Sequence, residues 1–330
     1  MKANRYYPLY GAKWHPEDLA GVLSMNDTNG YWFVDGDKTG DGGGKSWEDA
    51  YNDIQSAVTA ASAGDTIFVA GRTITALATD PISYAETVII PNDKPLLSII
   101  GIARGRTQGG LPQMKIGAGS TAMITVRAPG CLIANMGING ASSTGGGILL
   151  DDDGGTSKVA FGATILNCHF KNCKVSSTNA ASGGAVTLNG APWQVTVKGN
   201  QFFNNIGDIV HIPTYSDAKD VIIQDNIFSS TGESDCNIYM TGSSGDATGL
   251  VIDGNIFRGF PAVGSGVNLR FVVLTGYTGI LSNNSFAGND KTFKAAGSGG
   301  LVPATMFMAG NFQESTDAVG TFGSVTGRSS

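Results

Sequence analysis

Val195-Thr-Val-Lys-Gly-Asn200-Gln-Phe202, Val221-Ile-Ile-Gln-Asp-Asn226-Ile-Phe228, Leu250-Val-Ile-Asp-Gly-Asn255-Ile-Phe257 and Gly279-Ile-Leu-Ser-Asn-Asn284-Ser-Phe286 are copies of one line of sequence. A worn copy precedes them, Ala163-Thr-Ile-Leu-Asn-Cys168-His-Phe170, with cysteine in the asparagine slot, and a fainter one ends at Ile138. The aligned positions 138, 170, 202, 228, 257 and 286 lie 32, 32, 26, 29 and 29 residues apart. That period is long enough for one supersecondary unit per copy and too irregular for a helical solenoid.

Composition sets the bounds. Of the 330 residues, 41% are hydrophobic, 15% are charged and 48 are glycine, which describes a folded, turn-rich, β-rich chain. A repeat covering most of the length favours one body over two domains. The formal charge of -6 and the lack of a Lys/Arg cluster argue against a nucleic-acid partner. No apolar run of about 18 residues is present, so no membrane-spanning helix is expected. Residues 1–8 lack the apolar core of a secretory signal, so the expectation is a protein made in the cytoplasm and not secreted by that route. Cys131, Cys168, Cys173 and Cys236 have neither a disulfide-framework pattern nor zinc spacing and read as reduced, mostly buried thiols.

In chain order, residues 1–30 form an arm outside the repeat. Tyr6, Tyr7, Tyr10 and Trp14 crowd together there among prolines, a pattern that suits either an arm folded back on the body or an adaptor buried against a partner. Trp32-Phe-Val reads as a strand, residues 35–45 as a Gly/Asp loop, and residues 46–62 as a helix. The helix expectation rests on the stripe Trp47, Ala50, Tyr51, Ile54, Ala57, Val58 and Ala61, with Ser46 as N-cap, Asp49 three residues on and Gly64 as the stop. Strands are expected at residues 65–70, 84–90 and 96–102.

Trp32 to Asp35, Ile54 to Val58, Gly64 to Ala70 and Tyr84 to Ile90 together resemble the N-terminal cap and first coils of the pectin-lyase-like right-handed parallel β-helices. With the repeats, the resemblance covers residues 31–312. It implies an all-β chain, a single right-handed parallel β-helix with an N-terminal capping α-helix at 46–62, an extended arm at 1–30 and a tail at 313–330. The family includes polysaccharide lyases, glycoside hydrolases, epimerases and bacteriophage spikes and fibres, and it implies no single activity. The lyases' catalytic arginine and calcium-binding aspartate patterns are not recognisable in this chain.

Stacking physics reaches the same fold. Each coil lays its strand on that of the previous coil, so one sequence position becomes a column. Asn200, Asn226, Asn255 and Asn284 are then an asparagine ladder, and Phe170, Phe202, Phe228, Phe257 and Phe286 an internal aromatic column. Variable loops between second strands, such as 241–248, line one rim.

Candidate chemistry is sparse. Asp35, Asp37 and Asp41 resemble a calcium loop, although Ser46 stands where an EF-hand needs a bidentate Glu. Asp208, Glu233 and Asp235, with His211, are the candidate acid–base set, since neighbouring coils would bring these carboxylates close enough for glycoside hydrolysis. Asp151-Asp152-Asp153 reads as a solvated turn, and Arg270 as an outward strand charge or a lyase-type base. Two functions follow as expectations. The first is a non-enzymatic virion protein of a tailed phage (capsid decoration protein, head fibre or tail spike), docked on other virion proteins through its arm and trimeric as the resemblance implies. The alternative is a polysaccharide lyase or glycoside hydrolase working along the β-helix face, and cell-surface polysaccharide is the expected ligand if one is bound.

Overall fold

The computed structural model describes residues 30–72, 83–102, 111–115, 122–140, 146–151, 160–173, 183–189, 192–212, 217–230, 236–242, 247–259, 270–287, 305–314 and 322–325. Among them the strands fall into three sheets, and every strand pair is parallel except the last. The first sheet runs from Tyr31–Val34 through strands such as Thr196–Lys198 and Leu250–Asp253 to Met306–Ala309. The second runs from Gln113–Met114 to Asn311–Glu314, and the third from Val88–Ile90 to Arg270–Thr275. The chain visits the sheets in rotation, so each circuit is one coil of a parallel β-helix.

The register explains the repeat. Ile133, Ile165, Val197, Ile223, Ile252, Leu281 and Met308 are successive partners in the first sheet and line the core. In the second sheet Phe170, Phe202, Phe228, Phe257 and Phe286 are successive partners, nearly parallel, with centroids 4.6–4.9 Å apart. That separation is the strand spacing itself, so the coil stacks the rings. Burial contributes about 1.5–3 kcal/mol per ring before any ring–ring term of about 0.5–1.5 kcal/mol.

Between these two sheets each coil turns a corner at the asparagine. Asn226 Oδ1 accepts from the backbone N–H and the side-chain amide of Asn200 at 2.9 and 3.0 Å, while Asn226 Nδ2 donates to Val197 O at 2.9 Å. Asn255, Asn284 and Asn311 repeat these bonds, and Cys168 N–H opens the series by donating to Asn200 Oδ1. The residue before each rung is left-handed: Asn167, Gly199, Asp225, Gly254, Asn283 and Gly310 have φ between 53° and 67°. Only Gly, Asn and Asp adopt that conformation at low cost, which accounts for the Gly/Asp/Asn-Asn text.

The N-terminal helix differs from the sequence expectation. α1 spans Ile54–Ala60, and residues 46–53 precede it without helical structure. Ser46 Oγ accepts from Asp49 N–H in a local turn, and Tyr51 exchanges backbone hydrogen bonds with Phe33 of the first strand and with Asp35 just after it. Strand contacts therefore claim the segment that the apolar stripe assigned to helix. Asp53 is the N-cap, accepting from the Ser56 amide and hydroxyl at 2.7 Å each. Glu86 reaches across to accept from the Ile54 and Gln55 amides at 2.8 and 2.9 Å. At the other end Lys94 Nζ donates to the carbonyls of Val58, Thr59 and Ala61. Ile54, Ala57 and Val58 are buried over the first coil.

Asp65, almost wholly buried, ties this end together by accepting from Gly30 N–H and Trp32 Nε1 at 2.7 Å and Ser62 N–H at 2.8 Å. At the far end the segment read as a tail contributes a strand. Phe322–Val325 folds back antiparallel on Asn311–Glu314 and covers the last parallel edge of the second sheet.

Replacing Asn226 by Ala strands the buried Asn200 N–H and Val197 O, so the unfolding free energy should fall by roughly 2–5 kcal/mol in urea denaturation. Gln224→Ala, on the outer face of the strand that leads into this corner, should change it by less than about 1 kcal/mol.

Candidate functional site

The two described members of the acid–base set lie inside the solenoid. Asp208 is 2% exposed, with Oδ1 accepting from Asn205 Nδ2 at 2.8 Å and Oδ2 from Asn237 Nδ2 at 2.6 Å. Burial pushes its carboxyl up to about 7, against the opposing pull of the two amides. His211, on the same strand, is equally buried, its Nδ1 2.7 Å from Tyr277 Oη and 3.1 Å from Thr241 O. Glu233 and Asp235 lie outside the described residues. Asp208 therefore faces no surface on which a glycan could lie, because its position beside the corner at 204–206 turns it toward the core.

The aspartates of the calcium-like loop do not converge. Asp35 Oδ1 accepts from Asp37 N–H, Asp37 pairs with Arg72 at 3.3 Å, and Asp41 Oδ1 accepts from Asn52 N–H. No group of three or more His, Cys, Asp or Glu able to hold a metal ion occurs among the described residues. Asp151 pairs with Arg127 at 2.8 Å. Arg270 starts the last strand of the third sheet, in register with Cys236. The arm aromatics Tyr6, Tyr7, Tyr10 and Trp14 lie outside the described residues.

The four cysteines are buried, and no disulfide joins them. Burial pushes the thiols of Cys131, Cys168 and Cys173 up to about 12, so none is a nucleophile near neutral pH.

What the described surface does offer is apolar. On the outer face of the first sheet, Leu132, Thr164, Thr196, Ile222, Val251, Ile280 and Phe307 form one row of register partners. Within it Ile222 is 37% exposed, Ile280 42% and Phe307 65%. A parallel row beside it is polar and self-satisfied: Lys198 Nζ donates to Gln224, Gln224 Nε2 to Asp253, and Ser282 Oγ to Asp253. Hydrogen bonds from Ser282, Asn283 and Gln224 hold the Asp253 carboxyl below its ordinary range. On the rim leading into the first sheet, Leu96, Phe161 and Trp193 are exposed, with Lys219 Nζ 5.6 Å from the Trp193 ring. The outer row went unnoticed in sequence although its signal is there. Val221-Ile-Ile, Leu250-Val-Ile and Gly279-Ile-Leu put an apolar residue at the middle, outward position, where a solvated face calls for a polar one.

No family profile and no curated protein matches the chain in sequence. Among solved structures it is similar to the ORF18 protein of Geobacillus virus E2, with 10% identity and a TM-score of 0.41 over 90% of this chain and 62% of that one. The chain thus spans less than two thirds of that phage protein. It is also similar to the pectin methylesterase from Aspergillus niger, with 13% identity and a TM-score of 0.41 over 89% of each chain. The class of protein is set by the strand pairing itself: three sheets of parallel, in-register strands make a parallel β-helix, the architecture of the pectin-lyase-like proteins that the N-terminal text resembles. Among the described residues no helix is long and apolar enough to cross a membrane.

Two measurements check this account of the site. A thiol reagent should label none of the four cysteines in the native protein and all four after denaturation. A calcium chelator should leave the melting temperature unchanged, because the three loop aspartates hold separate partners; a shift of several degrees would show a bound ion.

Proposed function

We propose that this chain is a non-enzymatic structural protein of a tailed-phage virion, a capsid decoration protein, head fibre or tail spike, that docks through the arm at residues 1–30. The observation that carries the reading is the fate of the acid–base residues. Asp208 and His211, the described members of the one group that the repeat gathers, are committed to interior hydrogen bonds. A glycosidase needs two carboxyls flanking a bound sugar, and a carboxyl closed inside a core cannot serve as one. Among the other described acids, Asp53 and Glu86 cap the helix and Asp151 pairs with Arg127, which are scaffold roles.

Association fits the surface. The outward row that ends in Ile222, Val251, Ile280 and Phe307 is better covered than solvated. Self-association as a trimer would cover such faces on all copies at once. The arm, with its four clustered aromatics, has the composition of an anchor in a partner's pocket.

The purified protein should scatter light as a trimer and leave acidic and neutral polysaccharides uncut. A monomer that releases oligosaccharides would overturn the proposal in favour of an enzyme. Deleting residues 1–30 should abolish attachment to the virion while circular dichroism still reports the folded β-helix; attachment that survives the deletion would remove the docking role.

A further inference from the structure

The corner between the second and third sheets starts as a copy of the asparagine corner and then departs from it. Cys173 N–H donates to Asn205 Oδ1 at 2.8 Å and Asn205 Nδ2 reaches back to Phe170 O at 3.5 Å, as Cys168, Asn200 and Ile165 do one corner earlier. At the earlier corner Asn200 passes its amide to the asparagine of the next coil. Here that handover fails in the sequence. Asn205 stands two residues after Phe203, whose register partner is Ser229, and two residues after Ser229 stands Thr231. Asp208 takes the handover instead, accepting from Asn205 on one oxygen and from Asn237 of the next coil on the other.

An asparagine rung is neutral at every pH, whereas an aspartate rung is not. We propose that Asp208 is a protonation-dependent joint in the solenoid: protonated, the Asn205–Asp208–Asn237 bridge carries the corner into the next coil, and ionised, it loosens that coil. Asn205 Oδ1 is held by Cys173 N–H, so of the two bridging amides Asn237 is the one whose half-turn would bring an Oδ1 to the carboxyl O–H. Ionised, the group is a charge in the core that no Lys, Arg or His among the described residues neutralises, and two amide dipoles replace only part of its hydration.

The titratable groups around it do not offset that charge. Cys173 faces it across the corner and stays a neutral thiol. On the next strand Cys236 Sγ contacts Ile238 O, and Tyr239 packs with Val210 and Val273 in a separate cluster. On the preceding strand Val186, Thr187 and Leu188 carry no titratable group. His211, on its own strand, is engaged with Tyr277.

The sign follows from the raised carboxyl. The folded form keeps a proton that the unfolded form releases above about 4, so stability declines as pH rises from there to about 7 and is level beyond. The test is native-state hydrogen exchange in the full chain at residues 207–211 and 236–241, corrected for intrinsic exchange rates. With the carboxyl at about 7 in the fold, their opening should be about thirty-fold more frequent at about pH 8.5 than at about pH 5.5. Asp208→Asn should fold and lose this dependence. Equal opening at both pH values in the unaltered protein, or the same rise in the variant, would overturn the proposal. Should the variant fail to fold, carboxyl carbon NMR of the unaltered protein decides. A midpoint near 7 for Asp208 supports the joint, and one near 4 refutes it.

Discussion

From Cys168 onward each described coil turns a corner inside the core, and a buried backbone N–H at that corner has to find an acceptor. The side-chain oxygen of an asparagine one coil further on provides it, and the same amide donates to a carbonyl of the coil behind. Because each asparagine serves its neighbours on both sides, it can sit in one register only. A slip by one residue would leave corner N–H groups unpaired on both coils, at about 1–3 kcal/mol each. The rest of the architecture inherits that register: the phenylalanines two residues later stack because the asparagines align.

Two kinds of contribution differ in what they do. The phenylalanine column supplies non-directional stabilisation from five buried rings, at about 1.5–3 kcal/mol each, beside ladder hydrogen bonds that contribute about 1 kcal/mol net each. The ladder supplies uniqueness, because apolar contacts alone would accept a shifted register. The left-handed residue before each rung is the conformational condition for both. At the corner leading into the first sheet the same condition is met less comfortably, with Leu96 at φ 62° and Gln194 at φ 58° among glycines. Leucine in that conformation costs about 1–2 kcal/mol, which the surrounding coils sustain.

Much of this is legible in the sequence, for a physical reason: a column repeats its chemistry at every coil, so the Asn and Phe positions repeat too. The helix start was not legible, because Trp47, Ala50 and Tyr51 are apolar for contact with the first strand and only imitate a helical stripe. Phe33 packs edge-on against Trp47 at 4.9 Å, a tertiary contact no local pattern encodes. The burial of Asp208 was hidden for the opposite reason. It is a single departure from the repeat, and a lone acidic residue near a turn looks solvated until its partners Asn205 and Asn237 are located in space. The outward row of Ile222, Val251 and Ile280 stands in the sequence but is not legible there, since three apolar residues in succession do not say which one faces out.

The scaffold spends its buried asparagines on register. The measurement that tests this most directly is native-state hydrogen exchange at the backbone amides of Asn200, Asn226, Asn255 and Asn284. If the ladder is what the coils depend on, these amides open only with global unfolding and report one common free energy across the four rungs. Amides that exchange independently and well below the global value would contradict the account, leaving the aromatic column to hold the register unaided.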